Sequence, residues 1–238
     1  MPAPKPTKTR TLALTMDERE FPLHIKVNPR SRRLILRFCA RSQAVLLTLP
    51  RRVSLEEGMA FVESRKPWLR AQIFAQPQRV RFIEGAVIPV CGEHLTLRHV
   101  PGGSPVAWRE ENNLCVGGTP ENMELRIRRW LLSHAKATIG TIAQEKAALL
   151  GRTPSRITLR DTTSLWGSCT AKGALSFSWR LILAPPEVMD YVICHEAAHL
   201  VHLHHGLRFW KVVENLCPHH LHARAWLRAQ GEDLHRYG

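Results

Sequence analysis

The sequence lacks the features of membrane proteins and of disulfide-stabilised proteins. No run of apolar residues reaches the roughly 18 that a membrane-spanning helix needs, and the polar start of the chain argues against a signal peptide. The 6 cysteines lie far apart and form no CxxC pair, a spacing that suits neither a disulfide scaffold nor a zinc ribbon. We therefore expect a cytoplasmic protein with no membrane partner.

Acidic residues are also scarce. The 238 residues include 20 Asp and Glu against 34 Lys and Arg, which gives a formal net charge of +14. The composition, with 44% apolar and 23% charged residues, is otherwise that of an ordinary folded protein and excludes extended disorder. The length fits one large domain or two small ones.

The positive charge is concentrated towards the N-terminus. Residues 21–55 contain no acid and eight basic side chains, which are Lys26, Arg30, Arg32, Arg33, Arg37, Arg41, Arg51 and Arg52. A basic face of this kind attracts phosphates through counterion release, without sequence preference. It predicts a nucleic-acid or nucleotide partner for this Arg-rich half; a merely solvated basic face is the alternative.

For the N-terminal half, the sequence predicts a flexible tail over residues 1–20 followed by strands. Alternating side chains predict a half-buried strand over residues 33–38, with residues 44–49 as its partner. Ser54 and Glu57 form a candidate capping box for a helix that Pro67 should kink or break.

Further along the chain, turn residues separate short strands from longer helical segments. A helix should open at Thr119-Pro120 and end at Gly151. Strands are predicted at 86–91, 94–99, near Val106 and Leu114, at 156–160 and at 174–179, and helices at 186–203 and 207–227. The order predicts an α+β fold: a tail over 1–20, a β-rich basic subdomain over 21–118 and a mostly helical domain over 119–238.

An HExxH motif, His195-Glu196-Ala197-Ala198-His199, lies within the predicted helix 186–203. Residues four apart differ by about 40° around a helix, so His195 and His199 project from one face and can bind one metal ion. Glu196 points to the side, where it can act as general base towards an attacking water without being a ligand.

A third protein ligand is needed for a catalytic zinc site. His205 is the preferred candidate, provided that the helix ends first; His204 and Gly206, which tolerate a left-handed backbone, offer a way to end it. Glu214 is the second candidate. His202 is excluded because the stripe from residue 195 to residue 202 spans about 10.5 Å of helix, too far for three bonds to one ion. Cys194 should point away from the ligands.

Four segments carry a resemblance to a known family: residues 166–169 (WGSC), 177–185 (FSWRLILAP), 195–200 (HEAAHL), and His205 with 208–210 (RFW). They resemble the YgjP-like metallopeptidases, relatives of the SprT-like zinc proteases. The resemblance implies a zincin-like helical metal-binding domain with a small antiparallel sheet. It also implies one zinc ion on His195, His199 and His205, with Glu196 catalytic.

Within these segments, Trp166, Ser168, Arg180 and Arg208 are predicted to bind substrate. Residues 166–169 form either a loop near the metal or a structural tryptophan turn. The strand 174–179 could present an edge to an extended peptide; a core strand is the alternative.

Three functions are therefore considered. The first is a zinc metallopeptidase, including a nucleic-acid-associated protease. The second is a nucleoside-triphosphate pyrophosphatase, acting for example on UTP, in which the same metal site cleaves a phosphoanhydride. The third is a nucleic-acid-binding module with a degenerate metal site, against which the intact Glu196 argues.

Overall fold

The structure, a computed structural model, describes residues 9–39, 42–74, 79–162 and 165–238. The chain divides into two compact units, residues 1–78 and 79–238. This division lies well before the boundary predicted at 118/119. No helix in the described ranges is long and apolar enough to cross a membrane.

The first unit is built on a four-stranded mixed sheet. Its strands are β1 (Thr9–Met16), β2 (Arg19–Val27), β3 (Ile35–Cys39) and β4 (Ala44–Leu49), in the order β1-β2-β4-β3. The predicted pair of strands at 33–38 and 44–49 is present as the antiparallel pair β3 and β4.

Strand β1 corrects the prediction of a flexible tail over residues 1–20, of which residues 1–8 lie outside the described ranges. Leu14 and Met16 are buried in alternation with exposed Ala13 and Thr15. Their burial against the sheet core stabilises a strand that the short apolar pattern did not reveal.

Two helices complete the first unit, α1 (Leu55–Ser64) and α2 (Lys66–Phe74). Both halves of the predicted capping box are formed: Glu57 N–H donates to Ser54 Oγ over 3.1 Å, and Ser54 N–H donates to the Glu57 carboxylate over 2.7 Å. The break predicted at Pro67 falls between the two helices, because Pro is tolerated in a first helical turn but not in a helix interior.

The second unit begins with another four-stranded mixed sheet. It contains β5 (Val87–Val90), β6 (Glu93–Val100), β7 (Trp108–Glu110) and β8 (Asn113–Gly117), in the order β5-β6-β8-β7. Buried residues of this sheet share one hydrophobic core with the long helix α3 (Met123–Leu149). That shared core explains why residues 79–118 belong with the C-terminal unit and not with the basic N-terminal one.

A three-stranded sheet follows, made of β9 (Arg156–Arg160), β10 (Gly167–Cys169) and β11 (Ala174–Ser178). Its order is β10-β11-β9, with β10 antiparallel and β9 parallel to the central strand β11. The predicted antiparallel sheet is therefore correct for β10 with β11 and wrong for β9 with β11. After β9 the chain runs back through β10 on the far side of β11, so it enters β11 in the same direction as β9.

The remaining helices are α4 (Pro186–Ala198), α5 (Leu207–Leu216) and α6 (His220–Gln230). The first ends before the predicted residue 203. The predicted continuous helix 207–227 is two helices instead, because Pro218 lacks the backbone N–H that a helix interior requires. The α+β class predicted from the sequence is confirmed.

Candidate metal centre

Helix α4 holds the HExxH motif at its C-terminal end. Pro186 occupies the first turn together with Glu187, an arrangement that favours a helix start. Most of the helix is buried, and Val188 and Ile193 are fully enclosed in the hydrophobic core. The core therefore fixes the orientation of the two motif histidines, which lie one turn apart.

The chain leaves the helical path immediately after the motif. The N–H of Leu200 donates to Ala197 O over 2.9 Å, and that of Val201 to Ala198 O over 3.2 Å, as in a tightening last turn. The prediction of a left-handed turn at His204 and Gly206 is wrong. Gly206 has φ −79° and ψ −177°, and His204 is not among the described residues with positive φ. The tightened turn after Ala198 is enough to bring the chain back towards His195 and His199, without a left-handed residue.

Three imidazoles meet as a result. The nitrogens available as ligands on His195, His199 and His205 all lie within 4.8 Å of one another. His195 Nε2 and His205 Nε2 are 3.1 Å apart. Among the described residues, neither Glu214 nor the side chain of His202 joins this group.

One of the three rings, that of His199, presents an unprotonated nitrogen to the centre of the group. His199 Nδ1 lies 3.0 Å from the carbonyl of His202, which assigns the proton to Nδ1 and leaves the Nε2 lone pair free. Burial, followed by the neighbouring His199 and His205, lowers the pKa of His195 to about 4. Burial also lowers the pKa of His199. Neutral imidazoles are the form that binds metal, so the donor set fits a metal ion.

Phe209 packs against all three histidines. Its ring centroid lies 5.0 Å from that of His195, 4.6 Å from that of His199 and 4.7 Å from that of His205. Phe209 is fully buried on α5. We did not predict this role from the sequence, although the residue lies in a segment that carries the family resemblance.

Glu196 lies beside the histidines with its carboxylate against Gly167. The residue is 6% exposed, and burial raises the pKa of its carboxyl to about 7. It has no hydrogen-bond or ion-pair partner in the part of the chain that the structure describes. A Cβ atom on residue 167 would lie 2.8 Å from Glu196 Oε1, so only glycine allows this close approach. The sequence offered no signal for the pairing beyond the WGSC segment.

Strand β10 brings Gly167 and Ser168 to the site. Because β10 is the first strand in the order β10-β11-β9, only one of its edges is paired within the described residues. The strand at 174–179, considered as a peptide-binding edge, is the central strand β11; its core-strand alternative is therefore confirmed.

The comparison with known families agrees with this geometry. The family described as YgjP-like, metallopeptidase domain, matches residues 32–230. The chain belongs to the YgjP-like metallopeptidase family. No curated protein and no solved structure matches it at a significant level. Membership of this family implies a hydrolase that uses a metal ion, and the three histidines are the candidate site for it in this YgjP-like domain.

Two of the predicted substrate-binding residues of this YgjP-like domain have structural contacts instead. Arg180 is 1% exposed; its Nε donates to Asp161 Oδ1 over 3.1 Å and its Nη1 to the carbonyl of Tyr237 over 2.6 Å. This burial contradicts a substrate-binding role, since the guanidinium is already bonded inside the protein. The Trp166 ring stacks on His235 with centroids 5.0 Å apart, which supports the structural alternative for that residue.

The other two predicted substrate residues remain accessible. Ser168 is exposed on β10, opposite Ser176 of β11. Arg208 is exposed in the first turn of α5, next to Phe209. Both side chains are accessible to solvent, and their role in substrate binding stays a prediction.

A second group of potential ligands lies behind α4. Asp190, Cys194 and Cys217 bring their donor atoms within 4.8 Å of one another. Lys146 Nζ, however, lies 2.9 Å from Asp190 Oδ1 and 3.0 Å from the carbonyl of Leu216. Because the ammonium already supplies the positive charge, this group fits a structural role. Cys194 points away from the histidines, as predicted.

Proposed function

We propose that this protein is a zinc metallopeptidase that holds one zinc ion per chain on His195, His199 and His205. Three imidazoles that converge on one point are a ligand set of catalytic zinc sites, and such sites keep a fourth position for water or substrate. The separation of 3.1 Å between two of the Nε2 atoms supports this assignment. A soft thiolate set, which would favour a structural zinc site, is absent from this group.

A zinc ion bound here would supply Lewis acidity, which polarises a scissile carbonyl and makes a nearby water more acidic. Glu196 then accepts the proton of the attacking water and delivers it to the leaving amine nitrogen. The pKa of about 7 that burial gives Glu196 suits a group that must both accept and donate a proton near neutral pH. Glu196 would be held in its carboxylate form, the form that acts as base, when the histidines carry a cation.

The observation that carries the choice of substrate is the unpaired edge of β10 beside Glu196. An extended peptide can add to such an edge through backbone hydrogen bonds, with its side chains alternating in direction. Gly167 belongs to this edge strand, and Glu196 packs on the face of the strand where a side chain of residue 167 would lie. A peptide paired with β10 would therefore bring its backbone close to the base, whatever its sequence.

Cleavage of a nucleoside triphosphate such as UTP is the rival reaction. It requires cations that hold the phosphates next to the metal. Arg180 cannot do so, because its guanidinium is bonded to Asp161 and to backbone carbonyls. Arg224 is the basic side chain whose charge acts on His195, and its guanidinium carbon already packs 5.0 Å from the ring centroid of Trp210. The site therefore favours the peptide reaction over the phosphoanhydride reaction.

A parallel screen tests the proposal. Zinc-loaded protein is offered unfolded casein, a mixed peptide library, a DNA-bound protein and UTP, with Glu196→Gln protein as the control in each arm. We expect peptide fragments from the wild type and none from the variant. Pyrophosphate release from UTP that depends on Glu196, with intact peptides, would overturn the peptidase assignment in favour of the rival.

A further inference from the structure

A groove of about 600 Å³ lies in the N-terminal unit, between β3 and the two helices of that unit. Strand β3 is the outer strand in the order β1-β2-β4-β3. Arg32 and Arg33 line the groove from the segment before β3. Phe61 lines it from α1, Arg65 from the junction of the two helices and Trp68 from α2. The groove therefore combines three guanidinium groups with two aromatic rings.

The three arginines carry uncompensated charge. Arg32, Arg33 and Arg65 are exposed, and none of them has an ion-pair partner among the residues that the structure describes. The segment that presents the first two is ordered by its own hydrogen bonds: Ser31 Oγ donates to Arg33 O over 2.7 Å, and Ser31 N–H donates to Asn28 O over 3.0 Å. Ordering the backbone that carries Arg32 and Arg33 lowers the entropic cost of presenting both side chains to phosphates.

The aromatic residues give the groove a second chemistry. Trp68 is 41% exposed and is not among the side chains that pack against the core of this unit. Phe61 lies deeper, and the guanidinium carbon of Arg65 is 5.5 Å from its ring centroid. A large exposed indole beside arginines offers a surface on which an unpaired base can stack.

We propose that this groove binds single-stranded nucleic acid. A base stacks on Trp68, while Arg32, Arg33 and Arg65 contact the phosphates on either side of it. Duplex DNA fits the groove less well, because its bases already stack on one another and leave no free face for the indole. Binding in this groove is independent of the peptidase reaction.

The groove differs from the basic sequence stretch in a way that provides a control. Arg51 and Arg52 belong to the acid-free stretch 21–55 and are exposed, but they do not line the groove. Arg65 and Trp68 line the groove but lie outside that stretch. If binding depends only on diffuse charge, the pair Arg32 and Arg33 and the pair Arg51 and Arg52 should contribute equally. If the groove is the binding site, the first pair should contribute more.

Fluorescence anisotropy with a labelled 12-nucleotide single strand, run over a series of salt concentrations, tests the charges. Charge reversal in the Arg32→Glu/Arg33→Glu protein should weaken binding at least tenfold. It should also reduce the slope of log affinity against log salt concentration by about 1.4, since each phosphate contact to a single strand contributes about 0.7 to that slope. Arg51→Glu/Arg52→Glu changes the net charge equally and should weaken binding less. Equal losses in the two variants would overturn the groove and leave only a basic face.

Three further variants test the stacking. Trp68→Ala should weaken single-strand binding roughly 5- to 100-fold, and Trp68→Phe should retain most of the affinity, because stacking is sequence-tolerant and needs only an aromatic face. Leu46→Ala removes a similarly exposed apolar side chain, 36% accessible, outside the groove and should bind as wild type. Trp68→Ala protein that binds like Leu46→Ala protein, or tighter binding of the matched duplex by the wild type, would overturn the proposal.

Discussion

A Cβ atom on Gly167 would lie 2.5 Å from Cγ of Glu196. The edge strand and the HExxH helix therefore touch at the residue assigned as general base, and the absence of a side chain at position 167 lets the carboxylate occupy its place. Since the backbone at Gly167 does not have a positive φ, the need for glycine arises from space and not from conformation.

Gly167→Ala should lower peptide turnover while sparing the metal. The added methyl group displaces the Glu196 carboxylate, and a misplacement of about 1 Å can cost roughly 100-fold in rate. We therefore expect a reduction of about 10- to 100-fold in kcat with an unchanged zinc content. Gly140→Ala is the control, because a Cβ there meets nothing within 4 Å. Equal turnover in both variants would show that the contact does not position the base.

Replacement of His205 tests the ligand set. Loss of a residue that only hydrogen-bonds to a metal ligand typically weakens metal binding by roughly 10- to 100-fold. His205→Ala removes a ligand itself and should weaken zinc binding by more than that. His202→Ala and Glu214→Gln should keep about one zinc per chain. Metal content after dialysis against a competing chelator is the measurement. Retention of zinc by the His205 variant, together with loss in the Glu214 variant, would transfer the third ligand to α5.

Phe209 should support both the fold and the metal affinity. Phe209→Ala removes a buried ring that touches three imidazoles and should cost about 3–5 kcal/mol of unfolding free energy. Phe209→Leu should cost less and still weaken zinc binding, because the imidazoles lose their common packing partner. Phe82→Leu, at a buried phenylalanine without ring contact to these histidines, controls for general destabilisation. Identical zinc affinities in the two leucine variants would contradict the supporting role.

The buried carboxyl of Glu196 should make the stability of the metal-free protein depend on pH. Its folded-state pKa of about 7 lies above its ordinary value of 4.5, so folding takes up a proton between these values. The stabilising contribution is complete below about pH 4.5 and is lost as the pH rises through about 7. Urea unfolding of chelator-treated wild type and Glu196→Gln protein should show the wild type losing stability relative to the variant over this interval. A constant difference would contradict the raised pKa.

Much of the local structure follows from the sequence because short-range chemistry determines it. Ser54 and Glu57 define the start of α1, and the spacing of His195 and His199 defines one helix face. Arg180 shows the limit of such reasoning: a lone arginine beside a tryptophan gives no sign that its partners, Asp161 and the carbonyl of Tyr237, are distant in the chain. The place of β5–β8 in the second unit was missed for a similar reason, since a shared core with α3 is a long-range property.

The Glu196→Gln variant tests the central claim most directly. Glutamine keeps the size of the side chain and one acceptor oxygen but cannot take up a proton at neutral pH, while the three histidines are untouched. We predict full zinc content, an unchanged fold and a turnover reduced by roughly 10²- to 10⁴-fold on the peptide substrate that the screen identifies. Metal content and turnover are measured on the same sample. A variant that keeps both its zinc and its full turnover would contradict the assignment of Glu196 as the general base.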